Sequence, residues 1–264
     1  MEICNLHKNN CDYKSQHPNK LRLEIAAPGE DKGIQHLQRT KMEEKKESYR
    51  NILPHFQQPG QEYFVTWCLK GSVLPKALKR YTIQLEGIQS EIKLAGEQKK
   101  DSGIIETITK EYQATRRKYI AAYDKILDKN QGNTINLVAS GILEILRDTL
   151  LFWEDKRLKN YAFCIMPNHI HWVFYVFEKD KEEKPVFLQD IMQSVKRHSA
   201  NRINKLLGQT GSLWQKESFD TTIRNREHLM NAINYTLNNP VSACLTKNWN
   251  EWKGCWYSPG CGDF

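Results

Sequence analysis

Tyr63, Val65, Trp67 and Leu69 alternate with Phe64, Thr66 and Cys68, a period of two that sends successive side chains to opposite faces. With its aromatic and β-branched content this stretch predicts a first strand over residues 62–69. After Pro75 the period changes. Residues 76–94 and 104–127 are charge-rich with sparse apolar positions, and the breaker-rich AGEQKKDSG separates them, which predicts a helical hairpin projecting from the domain. Leu137, Ile142, Ile145, Leu146, Thr149 and Phe152 then recur at helical spacing and predict a core-facing helix over 135–158.

Two further strands are expected at 159–165 and 169–177, joined through Pro167-Asn168, because proline has no N–H for a ladder and Pro-Asn suits a tight connection. Leu188, Ile191, Met192, Val195, Ile203, Leu206 and Leu207 mark an amphipathic helix closed by Gly208. A short strand at 218–224 follows, then a last helix at 227–239 with Asn225 as N-cap and Pro240 just past its end. Strand, helix, strand, strand, helix, strand is the split βαβ order of a ferredoxin-like layer. The expected class is therefore α+β: an antiparallel sheet with helices on one face and the other face open for a site.

Composition adds a partner class. The chain has 264 residues, 39% hydrophobic and 27% charged, which suits one substantial domain with appendages. Thirty-nine Lys and Arg against 31 Asp and Glu leave +8, a surplus that favours polyanions, nucleic acid first, unless it is spread over solvated helices. No run approaches roughly 18 apolar residues, and the start MEICNLHKNN lacks a secretory apolar stretch, so a cytoplasmic protein with no membrane partner is expected. The seven cysteines then read as reduced thiols. Cys4, His7, Cys11 and His17 match no structural zinc template. Residues 1–48 are polar, with too little apolar surface to offset ordering entropy, and are expected to form a flexible extension.

Candidate chemistry begins in YAFCIMPNHIHWVFYVF. His169 and His171 sit two apart in an expected strand and so share one face. Such a pair either binds a metal or is partly buried polar decoration. In the last helix Leu229, Ala232, Ile233, Thr236 and Leu237 form the inward arc, and Tyr235 and Asn239 lie one turn apart outside it. They either reach the two imidazoles or edge the core and end the helix. Arg197, Asn201 and Lys205 form a row opposite the apolar stripe of their helix, which would track a phosphate backbone or simply face water.

Four motifs in order, RNILPHFQQPGQEYFVTWCLKGSVLP, CIMPNHIHWVF, LLGQTGSLWQKESFDTTIR and INYTLNNPVSA, resemble the REP-associated tyrosine transposases of the single-tyrosine HUH superfamily. The resemblance covers most of 49–252 and leaves out residues 1–48 and a helical insertion at about 76–128 that is longer than the family usually carries. It implies an HUH transposase domain over 49–264, with the ferredoxin-like HUH nuclease fold, that recognises hairpin DNA and cuts the adjacent single strand. By motif, His169, His171 and Asn239 match the ligands of a divalent metal, Mg²⁺ or Mn²⁺, and Tyr235 the nucleophile that forms a 5′-phosphotyrosine. His55, Lys196, Arg197, Arg202, Lys205, Trp214, Lys216, Arg224 and Arg226 are the expected DNA contacts, with Trp214 either stacking a base or anchoring its loop. Cys244 stands where the family often has glycine. Relatives occur as monomers and homodimers, and in a bacterium such a protein would meet the nucleoid. A domesticated, non-cutting binder of structured DNA is the alternative. A replication or conjugation initiator would bring a third motif histidine and extra domains.

Overall fold

The structure, a computed structural model, describes residues 48–50, 54–56, 58–73, 78–129, 134–216 and 218–259. They belong to the second of two compact units, Lys41–Phe264. Of the flexible extension expected over residues 1–48, Ser48 is described and begins a strand; the remainder, with Cys4, His7, Cys11 and His17, lies outside the described residues.

Strands β1 (Ser48–Arg50) and β2 (Pro54–Phe56) form a small antiparallel pair with Tyr49 opposite His55. The main sheet comprises β3 (Glu62–Cys68), β4 (Leu158–Ile165), β5 (His169–Val176), β6 (Phe219–Ile223) and β7 (Cys255–Tyr257), in the order β6-β3-β5-β4-β7. Every neighbour is antiparallel. Without β7 the order is fourth, first, third, second, which is the ferredoxin-like sheet. The edge strand β7 was not expected. It approaches β4 so closely that a Cβ on Gly254 would lie 2.1 Å from the Ile165 carbonyl oxygen, which leaves room for glycine alone.

The inserted hairpin consists of α1 (Lys79–Glu97) and α2 (Ser102–Lys129). Its outer half closes on Ile88, Ala95 and Ile108, residues of the two helices themselves. Its base packs Tyr119, Tyr123 and Leu127 against Cys68 and Phe219 of the sheet. Arg116 extends this join by donating to the Asp220 carbonyl at 2.7 Å and to Thr221 Oγ1 at 3.3 Å.

Helix α3 (Ile142–Leu151) is much shorter than the 135–158 its periodicity suggests. Gly141, at φ 81°, starts it, with its N–H held by the Glu144 carboxylate, and Asp155 at φ 56° turns the chain toward β4. Leu137 is fully buried but non-helical, tied by its N–H to the Pro167 carbonyl at 2.9 Å, so its apolar spacing reflects core contact alone. Helix α4 (Leu188–Leu206) follows expectation. Helix α5 (Arg226–Ser242) does not stop before Pro240 but runs through it, forgoing one N–H donor close to its end. Cys244, just beyond, takes φ 57°, the left-handed conformation that suits glycine after a helix.

The alternation of β3 and β5 divides two cores. Tyr63, Val65, Trp67, Trp172 and Phe174 face α3 and α4. The opposite face of β4 and β5, with Ala162, Cys164 and Val173, is covered by Ala232, Ile233 and Leu237 of α5. Helices thus lie on both faces, whereas one open face was expected; α5 returns after β6 and closes over the second face. A buried polar knot fixes β4 against α3. Asn160 Oδ1 accepts from Trp172 Nε1 at 2.6 Å, and its Nδ2 donates to Glu154 Oε2 at 2.6 Å and to the Leu150 carbonyl at 3.3 Å.

Candidate active site

The site forms where the ends of β3 and β5 meet α5 and the base of the hairpin. His171 pairs with Thr66 and His169 with Cys68, and the strand period turns both imidazoles toward α5. Their Nε2 atoms lie 3.0 Å apart. Asn168 donates its Nδ2 hydrogen to the Leu127 carbonyl at 2.9 Å, which orients its Oδ1 to accept from His169 Nδ1 at 2.7 Å. His169 Nε2 therefore presents a bare lone pair. His171 Nδ1 meets Thr66 Oγ1 at 2.8 Å, where the hydroxyl can donate or accept, so His171 can place its proton on either nitrogen. With the His169 proton so assigned to Nδ1, the 3.0 Å contact requires His171 Nε2–H to donate to His169 Nε2.

Both rings are completely buried, and burial disfavours their charged forms: His169 is pushed down to about 3, and His171 well below its usual value, with the neighbouring His169 adding to the effect. Neutral imidazoles are the form that binds metal. They also make folding acid-sensitive. Unfolded, each ring takes up a proton near about 6.5, so between there and about 3 the unfolded chain binds more protons, and stability is lost as pH falls through that window. The expected slope is up to about 1.4 kcal/mol per pH unit for each histidine. Urea midpoints from pH 7 to pH 4 should fall more steeply for the parent than for His169→Gln/His171→Gln; equal slopes would assign the loss to other groups.

Helix α5 brings the remaining groups. Asn225 caps it by accepting the His228 N–H at 2.8 Å, and its apolar arc fixes its rotation on the sheet. Tyr235 and Asn239 then both face the histidines. The Tyr235 ring meets His171 edge-on at 5.5 Å, and Phe64 stacks on His171 while touching Tyr235 with its edge, each at 5.7 Å. Asn239 is buried beside both imidazoles, within reach of a side-chain contact that favours the charged form of each, yet its Oδ1 makes no hydrogen bond of good geometry. An orphaned acceptor costs about 1–3 kcal/mol. Tyr235 donates to Asp124 Oδ2 at 2.5 Å, and burial first, then the Asp124 charge, holds its hydroxyl well above the ordinary phenol range.

These atoms suit a divalent cation. Two adjacent ligand nitrogens about 2.1 Å from one ion stand about 3 Å apart, which is the spacing of the two Nε2 atoms. Asn239 Oδ1 is an acceptor in want of a partner beside them. Among the described residues no three His, Cys, Asp or Glu side chains gather as a ligand set.

The expected DNA contacts are not gathered here. Arg197, Arg202 and Lys205 are exposed on α4, whose buried stripe packs on the opposite face of the sheet, and Arg202 pairs with Asp148 at 3.5 Å. Lys196 is nearer: it donates to the Lys216 carbonyl at 3.2 Å, and its charge acts on the Cys68 thiol. Lys216, Arg224 and Arg226 are exposed, Arg224 within electrostatic range of Arg116 and His228. Trp214 is no stacking platform. It is 5% exposed, packs 6.1 Å from Trp67 and donates to Ser199 Oγ at 3.0 Å, so it anchors its loop. His55 contributes backbone pairing in β2; its side chain lies outside the described atoms.

Sequence reasoning missed Asp124, Asn168, Thr66 and Phe64. Asn168, next to the histidine pair, and Phe64 and Thr66, on one face of the first strand, could have been found from the strand period. Asp124 sits in a charge-rich helix and carries no such signal.

Among solved structures the chain is similar to a REP-associated tyrosine transposase bound to a REP hairpin, with 13% identity over 82% of this chain and 93% of that one, and a TM-score of 0.44. No family model and no curated protein matches it. Among the described residues no helix is long and apolar enough to cross a membrane.

Proposed function

We propose that this protein is a metal-dependent single-strand DNA endonuclease and strand transferase that acts beside a DNA hairpin through a 5′-phosphotyrosine. The observation that carries the reading is the convergence of His169 Nε2, His171 Nε2 and the unpartnered Asn239 Oδ1 next to the Tyr235 ring. Hairpin DNA as substrate rests on the motif resemblance, and the +8 surplus is in keeping with it.

His169, His171 and Asn239 would hold the cation. Two imidazoles tolerate zinc, but an amide oxygen and phosphate oxygens make Mg²⁺ or Mn²⁺ the better match. Once bound, such an ion would polarise a phosphate oxygen and offset the negative charge that develops on the phosphoryl oxygens. To ligate, His171 would carry its proton on Nδ1 and donate it to Thr66 Oγ1, a role open to the hydroxyl it now meets. Phe64 stacks on His171 and limits the tilt of its ring. Tyr235 Oη attacks phosphorus and the P–O3′ bond breaks, leaving the 5′ end on the protein and a free 3′-OH. Because the phosphodiester energy is kept in the new bond, the reverse attack by a 3′-OH rejoins DNA without ATP.

Incubation with an end-labelled hairpin oligonucleotide carrying a single-stranded flank, in Mn²⁺, should yield a labelled band that survives denaturation, and EDTA should remove it. Retention of the hairpin with no covalent product in Mg²⁺ or Mn²⁺ would favour a non-cutting DNA-binding protein.

A further inference from the structure

Attack by Tyr235 breaks its O–H bond, and the proton must pass to an acceptor. Asp124 Oδ2 already receives that hydrogen, 2.5 Å from the phenolic oxygen. We propose that Asp124, brought to the site by the inserted hairpin, is the general base that activates Tyr235; the inference rests on the nucleophilic role given above to Tyr235.

The hairpin is fixed at three places that together define where Asp124 stands. Tyr119, Tyr123 and Leu127 pack on Cys68 and Phe219. Arg116 bonds the edge strand β6. The Leu127 carbonyl, less than one turn beyond Asp124, holds the Asn168 amide that orients His169. One stretch of α2 thus sets both the His169 imidazole and the carboxylate that holds the phenol. Asp124 is itself buried, so its carboxylate is sheltered from the water that would otherwise compete for it.

In the forward step the Tyr235 Oη–P bond forms and the P–O3′ bond breaks. The phenolic proton moves to Asp124 Oδ2, and the departing 3′ oxygen takes a proton from solvent. In the reverse step the 3′-OH gives its proton to solvent as it attacks, and Asp124 returns its own to the leaving phenolic oxygen.

Asp124→Asn keeps an acceptor for the hydrogen bond but will not take the proton. In the full chain, with the hairpin oligonucleotide and Mn²⁺, the covalent product should form about 100-fold more slowly or worse, with hairpin affinity unchanged. Asp124→Ala tests the chemistry apart from the fold: added formate, a small carboxylate, should restore adduct formation, while chloride at equal ionic strength should not. Asp124→Asn reacting at the parental rate overturns the proposal, as does a slow Asp124→Asn whose alanine counterpart ignores formate, the signature of a structural prop. A parent that forms no adduct overturns the function itself and the base with it.

Discussion

Tyr235→Phe should form no covalent DNA product at all while still binding the hairpin. The substitution removes one oxygen and keeps the ring that Phe64 and His171 contact, so the packing of α5 on the sheet is retained. What is lost besides the nucleophile is the hydrogen bond to Asp124, which leaves a buried carboxylate short of a donor. That loss is expected to lower stability by about 1–3 kcal/mol, a partial effect that a urea midpoint will show separately from chemistry. Activity should fall below detection, because phenylalanine has no atom to offer phosphorus. Gel retardation under native conditions and label transfer under denaturing conditions read the two quantities on one sample. If the phenylalanine variant becomes labelled at the parental rate, another residue attacks.

The largest stability effect is expected far from the chemistry, at Asn160→Leu, with a loss of about 3–5 kcal/mol. Leucine is close in size but returns nothing to the three groups that Asn160 serves. Trp172 Nε1 loses its acceptor, and Glu154 and the Leu150 carbonyl each lose a donor. Asn160 and Trp172 are both fully buried, so water does not replace these partners readily. The strand register also shifts between Asn160 and Ala162, and the amide ties that irregular stretch to α3. Urea unfolding should show a lower midpoint with an unchanged slope; a shift worth less than about 1 kcal/mol would mean that the knot is dispensable.

What could be read from the chain follows physical scale. Strands β3, β4 and β5 were legible because alternation is local, and the same alternation placed His169 and His171 on one face. The helical period likewise put Tyr235 and Asn239 together on α5. Apolar spacing misled at Leu137, whose burial comes from contact with the core and not from a helix. At Trp214 the sequence left base stacking and loop anchoring open, and packing against Trp67 decides for anchoring. Strand β7 has three residues and is placed by the close approach at Gly254, so no pattern announces it. Asp124 was out of reach for another reason. It meets Tyr235 across 111 positions of chain, and nothing nearby in sequence distinguishes it from the acids around it.

The length of α2 turns the hairpin into a lever. From Asp124 to Ser102 the helix rises about 33 Å, so a tilt of about 5° at its base displaces the tip by about 3 Å. The outer half holds itself together through Ile88, Ala95 and Ile108. A fluorophore placed at the α1–α2 turn would therefore magnify any sub-ångström movement of the carboxylate against the phenol into a distance that energy transfer can follow.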